Sequence, residues 1–149
     1  ISIYKERLRG YRDALLQHHI PIDETLIIES NLQLEDGRSS MKQLLRLDKR
    51  PDGIFSASAY GTMGALQVIK ENGIRVPEDI ALVGFSNEPF TMFTEPPLSV
   101  VDQHSISMGN AAAEIFLEEM EAKGKKFIPQ KVVLKPELII RQSSMKKKY

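Results

Sequence analysis

The pattern of apolar and polar positions is clearest over residues 52–87, where it predicts a strand, a helix and a second strand. DGIFSAS is a short β-prone run that ends in small polar residues. AYGTMGALQVIKENG follows, with Met63, Leu66 and Ile69 at three-residue intervals and Gly73 where a helix stop belongs. Val76, Pro77, Glu78 and Asp79 form a polar connector whose proline cannot continue a helix. IALVGF is an apolar run of strand length without alternation, the pattern of a strand covered on both faces. Such a βαβ unit has a right-handed crossover in nearly all cases. Its strands end at residues 56–58 and 85–87, on one rim of a parallel sheet, where open α/β sheets bind ligands.

The same reading extends outward. Residues 4–18 predict a helix with Leu8, Tyr11 and Leu15 as its apolar stripe. Leu26, Ile27 and Ile28 predict a short strand, and residues 29–37 a polar loop. Residues 38–47 predict a second helix that buries Met41, Leu44 and Leu45. After a long loop ending in Pro96 and Pro97, residues 98–101 predict a brief extended run. The strongest helical pattern covers residues 106–121, with Ile106, Gly109, Ala113, Phe116 and Met120 on one face and Gly124 as its stop. Residues 132–134 and 138–140 predict two short strands around Pro136, and a polar tail closes the chain. Strands alternating with helices make the fold class α/β with a mainly parallel sheet.

Composition narrows the function. A chain of 149 residues is about one domain, and 42% hydrophobic with 27% charged residues suits an ordinary globular one. Twenty basic and twenty acidic side chains cancel, which argues against this segment itself binding nucleic acid. The absence of cysteine excludes disulfides and thiolate chemistry. No apolar run approaches the roughly 20 residues of a membrane span. Ile1 opens directly into an amphipathic helix without an initiator methionine or a signal-peptide pattern, so the chain is expected to be a piece of a longer protein.

Few residues suggest chemistry. GxGxxG, P-loop and GxSxG patterns are missing, so dinucleotide, nucleoside-triphosphate and α/β-hydrolase readings lose their usual support. His18 and His19 sit at a helix end, where imidazolium suits the macrodipole better than it suggests a metal. Asp102, His104 and Ser105 are sequence neighbours, whereas triads are spatial constellations. Lys146, Lys147 and Lys148 read as a solvated tail. No metal, cofactor or catalytic set is expected, and the chain does not read as an enzyme. Ser58, Tyr60, Ser86 and Asn87 lie on the strand-end rim, where they serve equally as ligand groups or as caps and turn residues. Arg7, on the first helix, is the charged side chain best placed to join them.

Longer stretches carry a likeness. Arg7 precedes the pair Gly10-Tyr11, Asp52-Gly53-Ile54-Phe55 precedes Gly64-Ala65-Leu66, and GIRVPEDIALVGFSN spans residues 73–87. PPLSVVDQ occupies residues 96–103, Met108-Gly109 precedes Ala112, and LKPELIIRQSS occupies residues 134–144. Together, and in this order along nearly the whole chain, they resemble bacterial transcription regulators of the LacI/GalR type.

That resemblance implies a periplasmic-binding-protein-like type I core of two lobes that clamps a small effector, with an N-terminal helix-turn-helix that reads operator DNA. On this basis residues 1–104 are most of the second lobe, 105–130 cross into the first lobe, and 131–149 return. The helix-turn-helix and most of the first lobe lie outside this segment. The stripe Ile106–Met120 should then pack on a lobe mostly absent, and must fold back, meet a second chain or swap.

Arg7 matches the family arginine that bonds effector hydroxyls or carboxylates. Leu32 falls near an aromatic that stacks on ligand. Ser58 and Ala59 replace an Asn-Asp pair, and Ser86 replaces an aspartate that takes sugar hydroxyls. Losing two carboxylates turns the expected effector from a neutral sugar toward an acidic sugar derivative, because carboxylates accept charge-assisted hydrogen bonds from sugar hydroxyls. The family pairs as a homodimer partly through the helix after the Ile54 strand, so Tyr60, Gly61, Met63, Phe90, Phe93 and Thr94 are interface candidates. A cytoplasmic regulator with no membrane partner is the main expectation. A periplasmic solute-binding protein of the same fold is the alternative, and the VPEDIALVGF and PPLSVVDQ runs favour the regulator.

Overall fold

The computed structural model describes residues 2–121 and 128–146. Its sheet joins β1 (Gly53–Phe55), β2 (Ala81–Phe85), β3 (Ser99–Asp102) and β4 (Glu137–Ile139) in that spatial order. The first three strands are parallel, and β4 lies antiparallel to β3. The helices are α1 (Ser2–Gln17), α2 (Leu34–Leu45), α3 (Ala59–Glu71) and α4 (Ser105–Glu121). The expected βαβ unit is β1–α3–β2, with Ile54 beside Leu82 and Phe55 beside Val83.

The core forms where α2 and α3 cover one face of this sheet. Met41, Leu66, Val68, Ile69, Leu82, Leu98 and Val100 are buried in a single cluster. Along β2, buried Leu82 and Gly84 alternate with half-buried Ala81, Val83 and Phe85. The unbroken apolar run IALVGF suggested cover on both faces, but within the described residues only one face is fully covered. On the other face Arg7 of α1 lies over Phe85, and Phe55 meets Phe85 edge-on at 6.4 Å between centroids.

Helices α2 and α3 meet backbone to backbone. A Cβ on Gly37 would overlap the Gly61 peptide, and one on Gly64 would fall on the Leu34 carbonyl oxygen. Only glycine at these positions lets the two axes come this close. Arg38 then reaches across to Gln67 and Glu71 along the exposed side of the crossing. This packing also explains why α2 begins four positions earlier than the polar pattern suggested. Asp36 accepts from the Gln33 backbone N–H at 3.0 Å, an N-terminal capping contact, and Gly37 is a helix residue rather than part of a loop.

Two expected strands are absent from the sheet. Residues 24–26 form a 3-10 turn capped by Asp23, whose Oδ1 accepts from the Thr25 N–H and hydroxyl, and Ile27 and Ile28 continue without a ladder. Residues 132–134 likewise join no ladder among the described residues, with Val132 and Val133 exposed. Both runs have strand propensity, but a strand needs a neighbour for its N–H and C=O groups. The expected stop at Gly124, and Lys147 and Lys148 of the tail, lie outside the described residues. Lys146 approaches Asp52 Oδ2 at 3.5 Å. The connector into β2 is held by Arg75 on Asp79, which pushes the Asp79 carboxyl down to about 2.

Helix α4 buries none of its side chains within the described residues. Ile106 is 81% exposed, and Phe116 and Met120 are 60% and 64% exposed. The stripe therefore does not fold back onto this sheet.

Substituting Gly64→Ala should lower unfolding stability by about 1–3 kcal/mol or more, because the backbone of α2 must move away. Chemical denaturation followed by circular dichroism checks this. An unchanged midpoint would mean that the two helices are not in backbone contact.

Candidate functional site

The rim at the C-terminal ends of β1, β2 and β3 gathers most of the expected residues, but into separate clusters. The first is built on Arg7. Its Nη1 donates to the Ala57 carbonyl at 2.7 Å and its Nη2 to Gln103 Oε1 at 3.1 Å. Its guanidinium carbon lies 3.6 Å from the Phe85 ring centroid and 5.2 Å from that of Tyr4. A guanidinium over an aromatic face is held by the ring quadrupole as well as by its hydrogen bonds. Partial burial draws Arg7 below its usual pKa, with Tyr4 acting in the opposite direction. Gln103 Nε2 continues the chain to Ser86 Oγ at 2.8 Å.

Ser86 has φ 74°, a left-handed backbone that is uncommon for a residue with a side chain. Its N–H still bonds the Val101 carbonyl, so the turn comes directly at the end of the β2–β3 ladder. Strand alternation alone would send the Ser86 side chain opposite to Phe85. The left-handed turn breaks that alternation and lets the hydroxyl meet Gln103. Leu32 and His104, which border this rim, also have positive φ (62° and 54°), as does His19 just after α1 (55°).

The second cluster is Ser58 with Leu32. Ser58 is the N-cap of α3 and its Oγ accepts from Gly61 N–H at 2.9 Å. The same hydroxyl donates to the Leu32 carbonyl at 2.9 Å. Of the two roles open to Ser58, capping is therefore occupied, and its one hydrogen is committed. The Leu32 side chain is half-buried at this loop.

The third cluster centres on Asn87. Its Nδ2 donates to Asp102 Oδ2 at 3.1 Å, while its Oδ1 accepts from Arg141 Nη2 at 2.8 Å. Asp102 Oδ1 also accepts from the His104 backbone N–H. That bond first, and the Asn87 amide second, hold the Asp102 carboxyl below the usual range. Asp102 and His104 are thus partners in a turn. Among the described residues no group of three His, Cys, Asp or Glu side chains is placed to hold a metal ion.

Of the interface candidates, Tyr60 and Phe93 are 61% and 83% exposed, and Met63, Phe90 and Thr94 are half-buried. Gly61 is buried under Gly37, so its contact surface is used inside the chain. An open hollow lined by Lys42, Leu45, Arg46, Arg50, Asn72 and Ile74 lies at the opposite end, by the C-termini of α2 and α3. Basic side chains suit helix C-termini, and no rim residue lines this hollow. The residues missed in the sequence were Gln103 and Phe85. Gln103 stood inside the PPLSVVDQ run, and its place at the end of an extended segment was the available signal.

Residues 2–144 match the family model described as periplasmic binding protein-like domain. The chain belongs to this family. As a periplasmic binding protein-like domain it is similar to the HTH-type transcriptional repressor PurR of Actinobacillus pleuropneumoniae, 32% identical over 142 residues, which are 95% of this chain and 42% of that one. It is similar to the HTH-type transcriptional regulator CelR of Thermobifida fusca, 35% identical over 138 residues, covering 93% of this chain and 40% of that one. Among solved structures, a complex of the transcriptional regulator CelR with cellobiose superposes with a TM-score of 0.82 at 34% identity, over 93% of this chain and 42% of that one. The chain thus spans well under half the length of these relatives. The LacI/GalR likeness read from the residues and the α/β fold with a mostly parallel sheet are both borne out.

Because Ser58 caps α3, Ser58→Ala should lower stability by about 0.5–2 kcal/mol. Urea unfolding of the wild type and the variant measures it, and equal midpoints would free Ser58 for another role.

Proposed function

We propose that this chain is the effector-binding part of a cytoplasmic transcription regulator. In this reading a helix-turn-helix outside the segment contacts operator DNA, and a small molecule bound at the rim sets operator affinity. The observation that carries the proposal is the Arg7–Gln103–Ser86 chain at the strand-end rim of a domain whose relatives, matched over 95% and 93% of its length, are named as regulators. A sugar or an acidic sugar derivative suits the polar rim, and the cellobiose bound by the CelR relative supports a sugar-like ligand.

Residues 1–104 serve as most of one lobe, 105–130 cross to the other and 131–149 return. The exposed apolar stripe of α4 and the antiparallel return of β4 beside β3 support this division. A lobe packed on α4 would remove an apolar patch of a kind that soluble monomers rarely leave open. Effector bound between the lobes favours one lobe angle over another, and operator affinity follows the population of that state. The relevant assay measures binding of the full-length protein to DNA from the promoter of its own gene, with and without a panel of sugars and sugar acids. The expected outcome is a shift of about 5–150-fold in affinity with one ligand class. Absence of sequence-specific DNA binding would refute the proposal.

The regulator is a homodimer in this reading, with Tyr60, Met63, Phe90, Phe93 and Thr94 on its interface. The exposure of Tyr60 and Phe93 near the same rim supports it. Phe93→Asp should convert the dimer to monomer in sedimentation velocity, since a charge enters an apolar contact. A dimer undiminished by Phe93→Asp and by Tyr60→Asp would rule out this face.

A further inference from the structure

We infer that the group recognised at this rim is an anion, a carboxylate or a phosphate, and that Gln103 is the positioning residue that gives the rim its selectivity. The inference rests on the effector-binding reading above and goes further, because it follows from the direction of each hydrogen bond.

A guanidinium has donors and no acceptor. Gln103 must therefore turn its amide oxygen to Arg7, and this leaves its NH2 for Ser86. The Ser86 oxygen then accepts, so the Ser86 hydrogen is left to donate. Among the described residues no acceptor takes that hydrogen. Arg7 keeps further N–H groups beyond the two bonded to Ala57 and Gln103, and no carboxylate among the described residues pairs with it. Phe85 holds the guanidinium flat from one side.

Among the described residues the neighbouring side chains add no charged acceptor to this point. The Ser58 hydrogen is held by Leu32, and Ala59 has only a methyl group. Asp102, the acidic residue of the rim, is bonded to His104 and Asn87 beside Arg141, in the other cluster. The ligand point made by Arg7 and Ser86 is thus rich in donors. A carboxylate or phosphate accepts at every oxygen and matches such a point. A neutral sugar hydroxyl can also bond here, because the Ser86 and Gln103 oxygens each keep a second lone pair, but it brings no negative charge to set against Arg7.

The experiment uses the full-length protein in a thermal-shift screen, followed by calorimetric titration. The probes are matched: D-glucose and cellobiose as neutral sugars, D-glucuronate and D-gluconate as carboxylates, and D-glucose 6-phosphate and D-fructose 6-phosphate as phosphates. The expected result is that the anionic probes stabilise the protein more strongly than their neutral partners, and the arm that responds tells carboxylate from phosphate. Gln103→Glu puts a carboxylate against Arg7 and gives the Ser86 hydrogen an acceptor inside the protein. It should weaken the anionic probe by about tenfold to a hundredfold, the range for losing a charged hydrogen bond, and should not weaken a neutral one. This change in charge selectivity is a readout that a purely structural role for Gln103 would not move. Should Gln103→Glu fail to fold by circular dichroism, Ser86→Ala replaces it, with a selective loss of anion affinity expected. Neutral probes binding in place of their acidic partners would overturn the inference and leave the effector-binding reading standing. Anion binding unchanged in Gln103→Glu would overturn the role of Gln103. No response to any probe would overturn this inference, while operator binding by the full-length protein separately decides the effector-binding reading.

Discussion

The contact between α2 and α3 is the constraint on which the remaining geometry depends. Gly37, Gly61 and Gly64 remove the side chains that would hold the two helices apart. The helices then sit as one layer over β2 and β3, and Met41 of α2 reaches the same buried cluster as Leu66 and Ile69 of α3. The close crossing also brings the loop before α2 to the start of α3, where the Ser58 hydroxyl joins the Leu32 carbonyl to the Gly61 N–H. Backbone proximity, helix capping and the shape of the rim are thus consequences of the same three glycines. A side chain at the crossing would cost stability and would also shift the first turn of α3 relative to the strand ends.

A second tie secures the other side of the sheet. The segment after β4 turns back under β2 and β3, and buried Ser143 donates to the Leu82 carbonyl while accepting from Ser99 N–H. Ser99 Oγ accepts from Arg141 N–H and shares a hydrogen bond with Ser144. Arg141 itself reaches the Leu98 carbonyl, Thr91 and Asn87. Buried polar groups are tolerated because they are paired, and breaking such a network exposes several partners at once. The closing LKPELIIRQSS run is therefore a fastening, and through Asn87 it also fixes one flank of the rim. That explains how a run far from the rim in sequence belongs to the same motif set.

The rim then divides its charges. Arg141 is matched by carbonyls and by the Asn87–Asp102 pair. Among the described residues Arg7 is matched by neutral acceptors and by the faces of Phe85 and Tyr4. Arg141 ties together β3, the loop after β2 and the segment after β4, whereas Arg7 joins α1 to the strand ends. The two are distinguished by partners drawn from distant parts of the chain, and neither charge nor spacing along the sequence separates them.

Local sequence by itself determined the βαβ unit, the amphipathic helices and the apolar stripe of α4, because hydrophobic period and turn residues act over a few positions. The family likeness was also legible, since PPLSVVDQ, GIRVPEDIALVGFSN and LKPELIIRQSS are contiguous. Tertiary structure decided the rest. Gly37 suggests a loop until α3 is known to need its missing side chain. Residues 26–28 and 132–134 have strand propensity, but a ladder requires a neighbour that local sequence cannot supply. Ser58 and Ser86 look alike in the chain, yet the Ser58 hydroxyl donates to Leu32 while the Ser86 hydroxyl accepts from Gln103. The direction of a proton is set by non-local partners, and only the folded chain brings those partners together.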